Sequence, residues 1–93
     1  MNQLNESDFN EIVRLLKNIS KANTKSSAKN DISKFNYLKG KVNTSLDEYA
    51  KEKLAMAFIC ADEASGKVSN KDGKIKIFES ELYKFERIIN KPF

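Results

Sequence analysis

Four residues near the end of the chain, Asn70, Asp72, Gly73 and Glu79, have the types and spacing to hold a hard cation. Two oxygen-bearing side chains stand two positions apart, a glycine follows for a sharp turn, and a carboxylate comes six residues later. Calcium is bound by oxygen ligands in a flexible shell, and a loop of this kind is one way to supply them. The other chemistry to consider is cationic. Lys25, Lys29, Lys34, Lys39 and Lys41 crowd one stretch, and Lys71, Lys74 and Lys76 crowd another. Such groups hold phosphates or acidic surfaces.

With Gly73 at the sixth position of a twelve-residue calcium loop, Asn70 falls at the third, Asp72 at the fifth, Ile75 at the eighth and Glu79 at the twelfth. In these positions residues 68–79 resemble a degenerate EF-hand loop, which implies a calcium module with helices on both sides. The first position departs from the pattern: it is Val68, which has no oxygen to offer. Lys71, Lys74 and Lys76 also repel a dication. The preferred reading is therefore a turn over Asn70–Gly73 that feeds a helix, with Glu79 and Glu81 on its early turns.

Enzyme chemistry finds little to work with. There is no histidine, so the commonest general base and zinc ligand are both missing. Neither a Ser-His nor a Cys-His pair can be assembled from this chain. Cys60, the single cysteine, lies in the apolar run Leu54–Ala61 and reads as a packing residue. A lone cysteine forms no intramolecular disulfide and suits a reducing compartment. The start, "MNQLNESDF", shows no basic-then-apolar leader, and no run is long enough to cross a bilayer. A cytoplasmic protein without cofactors is expected, and no enzyme.

The elements that must position these groups are legible from apolar spacing. At 93 residues, with three glycines and one proline, the chain suits one helical domain rather than a sheet rich in turns. Helices are expected over 5–19, 27–39, 46–64 and 74–90. The first buries Phe9, Ile12, Val13, Leu16 and Ile19 and is capped by Asn5. The second is capped by Ser26 or Ser27, lines one side with Ala28, Ile32, Phe35 and Leu38 or Lys39, and stops at Gly40. The third opens with the capping-box spacing Ser45 to Glu48 and ends before Gly66. Its apolar second half implies enclosure by neighbours or completion by a second copy. Ala50, Ala55, Ala57 and Ala61 would admit close partners. The fourth carries Ile75, Phe78, Leu82, Phe85 and Ile89 in a seam. Tyr37, Tyr49 and Tyr83 are read as half-buried, with interface anchoring as the alternative. Phe93 either frays or folds back.

The fold expected is all-α: a compact antiparallel four-helix bundle with a central apolar third helix and sequence neighbours side by side. Charge is uneven, +5 over residues 21–44 and −3 over 45–66. With Arg14 and Arg87 the only arginines, base-specific reading of nucleic acid is disfavoured, leaving weakly specific phosphate binding as the alternative function. The first expectation is a non-enzymatic protein-binding factor: an inhibitor, adaptor or immunity-type protein that occupies a partner's surface. In size, charge and helix number the chain resembles the small helical immunity proteins that protect bacteriocin producers, a likeness of architecture with no shared motif. Its Lys, Asn and Ile content fits an AT-rich bacterial or phage genome.

Overall fold

The computed structural model describes residues 2–91, so Phe93 lies outside the described residues. Four α-helices follow one another: α1 (Glu6–Lys21), α2 (Lys25–Val42), α3 (Glu48–Ala64) and α4 (Lys71–Ile88). A single 3-10 turn, Asn43–Ser45, joins α2 to α3. No strand forms among the described residues, only an isolated bridge between Gln3 and Asn90. None of their helices is long and apolar enough to cross a membrane.

Local chemistry explains most of the helix ends. The Asn5 side chain caps α1 by accepting from the Asp8 N–H at 2.7 Å. Helix α2 is capped earlier than at the expected serines and starts at Lys25. Thr24 is its cap and Ser27 the reciprocal partner, each side chain accepting from the other's backbone N–H. It also runs through Gly40, because one more turn brings Val42 into the core. Helix α3 does not begin at the Ser45 capping box, since Ser45 lies in the 3-10 turn. Asp47 caps it instead, accepting from the Ala50 N–H at 2.8 Å. Beyond Ala64, Gly66 adopts φ +83°, a conformation that favours glycine.

Two end-to-end contacts set the topology. The Gly66 N–H donates to Ala22 O at 2.8 Å, so α1 and α3 finish at the same pole. At the other pole the Asn90 N–H donates to Asn2 O, and Asn2 is bonded to Asp47. The helices therefore run up, down, up and down, as an antiparallel bundle. Helix α3 packs between α1 and α4. Helix α2 lies on α1 and meets α3 mainly through side chains, Phe35 stacking on Phe58 with ring centroids 5.0 Å apart. The expectation that α2 and α3 lie side by side yields to a close α1–α3 approach. Ala50, Ala57, Ala61 and Ala64 are fully buried on α3, and their one-carbon side chains permit that approach.

The core follows the expected spacing with a few exchanges. Leu15 joins Phe9, Ile12, Leu16 and Ile19, while Val13 and Ile32 are only partly buried. Phe78, Leu82 and Phe85 form the α4 seam, Ile89 is buried just beyond the helix end, and Ile75 is half-buried. Cys60 is buried, as its setting implied. Enclosure of α3 is incomplete, since Met56 and Ile59 remain 40% and 49% exposed. The tyrosines are not half-buried either. Tyr37 is 78% exposed, and Tyr49 and Tyr83 are more than half exposed. Each sits on a helix face that no other helix covers.

Candidate functional site

The loop ligands are placed first. Asn70 precedes α4 in a left-handed conformation, φ 51° and ψ 46°, and Asp72 and Glu79 lie within the helix. Helical rise separates those two carboxylates by about 10 Å along the axis, too far to share one ion. Gly73 lies in the first turn of α4, and a Cβ there would stand 2.5 Å from Asn70 Nδ2. The glycine thus accommodates the Asn70 side chain. Among the described residues no cluster of three or more Asp, Glu, Cys or His could hold a metal.

The lysines divide into two groups. At the pole where α1 and α3 end, Lys71 Nζ donates to Ala22 O, Ala64 O and Gly66 O at 2.9, 2.6 and 3.0 Å. Beside it, Lys25 Nζ donates to Asp62 O and to Ser65 Oγ. Both cations satisfy carbonyls at the negative ends of helices, which explains lysine at these positions structurally. Lys41 pairs with Asp8 at 3.3 Å. Lys29 and Lys76 are exposed, Lys39 and Lys74 half-exposed, and Lys34 is exposed toward α1. The helical turn puts Lys34 and Lys41 on one flank of α2 and Lys25 and Lys29 on the other. The eight lysines do not form one basic patch.

One lysine does join a recessed surface. Lys34, Tyr37 and Leu38 of α2 and Glu11 and Leu15 of α1 line an open groove of about 430 Å³. Its floor is apolar, from Leu15 and Leu38. A second depression adjoins it through Glu11 and Leu38 and extends along α1 to Asp8 and Arg14. Arg14 donates to Glu11 one helical turn away, and this bond holds the Glu11 carboxyl below the usual carboxylate range. Arg14 is correspondingly held above its ordinary value by the same bond. Lys34 adds a further attraction on Glu11 without pairing with it. The rim is therefore an Arg–Glu pair, a closed Lys41–Asp8 pair, the Lys34 cation and a projecting phenol.

Sequence spacing alone singled out Lys34 but not Glu11, Arg14 or Leu15 as its neighbours. The signal for Tyr37 was its type, an amphipathic aromatic two residues from a core position. No family model, curated protein or solved structure matches the chain.

Proposed function

We propose that the protein is a non-enzymatic, cytoplasmic protein-binding factor of inhibitor, adaptor or immunity type that acts by occupying a partner's surface. The observation that carries this reading is the exposure of Tyr37 above an apolar groove bordered by Lys34, with Arg14 on the depression that adjoins it. Tyrosine and arginine around a recess are the side chains in which interface energy concentrates. A phenol ring adds contact area with few torsions to freeze, and the groove accepts an apolar side chain from the partner. Glu11 and Asp8 already hold cations, so Lys34 is the charge left to meet a carboxylate. The fitting partner presents an apolar knob with an acidic neighbour.

The test is affinity capture of the tagged protein from a lysate of its source cells, with and without nuclease. A Tyr37→Ala, Lys34→Glu variant is run in parallel. The expected result is a stoichiometric protein partner that survives nuclease and is lost with the variant. Recovery of nuclease-sensitive material alone would replace this reading with weakly specific nucleic-acid binding.

A further inference from the structure

A different face of the molecule is left incomplete. On α3, Lys53, Met56, Cys60 and Glu63 recur at steps of three, four and three, and Lys74, Ile77 and Glu81 do so on α4. Residues at these steps share one face of a helix. The two rows border the same seam, because Cys60, Glu63, Lys74 and Ile77 line one small depression between α3 and α4. Along it Met56 and Ile77 are 40% and 59% exposed. A large apolar side chain thus lies uncovered on each helix of the seam, Met56 on α3 and Ile77 on α4.

We propose that this face is a self-association surface covered by a second copy of the same chain. The charges on it identify the occupant. Each row carries a lysine at one end and a glutamate at the other, which matches neither a nucleic acid nor an anionic membrane, each of which calls for one sign. A face that carries both signs can complement itself. An isologous interface sets the patch against its own copy. With the two-fold axis along the helices, Glu63 comes opposite Lys74 of the second copy, and Cys60 opposite its Ile77. With the axis across the helices, Glu63 comes opposite Lys53 instead. In both arrangements Glu63 meets a lysine, and among the described residues neither Glu63, Lys53 nor Lys74 has an ion-pair partner. The α1–α2 groove stays uncovered in the dimer, which then presents two Tyr37 sites.

Sedimentation velocity with reductant present tests this, since reductant prevents Cys60 oxidation from creating a dimer. The mass is expected to rise from 10.6 kDa toward twice that value as concentration increases. Met56→Lys and Ile77→Lys should each weaken association by about tenfold or more while leaving the circular dichroism unchanged. Glu63→Lys should also weaken it, and adding either Lys74→Glu or Lys53→Glu should restore it. A chain that stays monomeric throughout, a dimer indifferent to Ile77→Lys, or the failure of both charge swaps overturns the proposal.

Discussion

Asn2 and Asp47 hold each other by two hydrogen bonds across 45 positions of sequence. The Asn2 amide donates to Asp47 Oδ2 at 2.8 Å, and the Asp47 N–H donates to Asn2 Oδ1 at 2.8 Å. Asp47 is also the cap of α3, so the segment before α1 holds the residue that starts α3.

This arrangement has a pH signature. The Ala50 N–H, and after it the Asn2 amide, hold the Asp47 carboxyl below its ordinary value. A group lowered in the folded state stabilises above its unfolded pKa, and that contribution is lost as pH falls through the folded value. Asp47→Asn keeps a capping acceptor but cannot ionise. Its melting temperature should fall less than that of the parent between about pH 5 and pH 2. Parallel acid limbs for the two proteins would exclude this role for Asp47.

Lys71 makes three charge-assisted bonds to carbonyls at the ends of α1 and α3. Lys71→Met removes the donor and leaves partly buried acceptors unpaired. A loss of about 2 kcal/mol is expected by urea denaturation. Lys76→Met, on the exposed side of the same helix, should change stability by less than about 0.5 kcal/mol. Equal effects at the two positions would refute a structural role for Lys71.

The glycines separate two kinds of constraint. Gly66 has φ +83°, and a Cβ there would lie 3.2 Å from Lys25 Cγ and 3.3 Å from Lys25 N. Gly66→Ala should cost about 1–2 kcal/mol. A Cβ at Gly40 meets nothing within 4 Å, and the residue lies inside α2. Gly40→Ala should therefore stabilise by about 0.5–1 kcal/mol. Thermal melts of the two variants should move in opposite directions.

Calcium should leave the protein unchanged. Asp72 and Glu79 are held apart on α4, so millimolar calcium is expected to shift neither the melting temperature nor the tyrosine fluorescence, in the parent or in Glu79→Gln. A saturable shift abolished by Glu79→Gln would show that residues 68–79 refold around the ion.

The sequence by itself determined the four helices and most of what they bury. The cap at Asn5, the stop at Gly66 and the spacing of Phe78, Leu82, Phe85 and Ile89 act over one or two turns, and the structure keeps them all. Tertiary structure decided wherever a local signal met a distant competitor. Ser45 has the spacing of a cap, but Asp47 takes the role with Asn2, from the segment before α1, bonded to it. Gly40 marks a stop, but the burial of Val42 carries α2 past it. The lysines form clusters in sequence, yet Lys25 and Lys71 turn to the carbonyl ends of helices that fold beside them. The site itself was legible only in part. The types of Lys34 and Tyr37 are plain in the sequence, but pairing α1 with α2 is what puts Leu15, Glu11 and Arg14 around them. Spacing along a chain fixes which residues share a face, whereas the groups that face meets depend on how the helices pack.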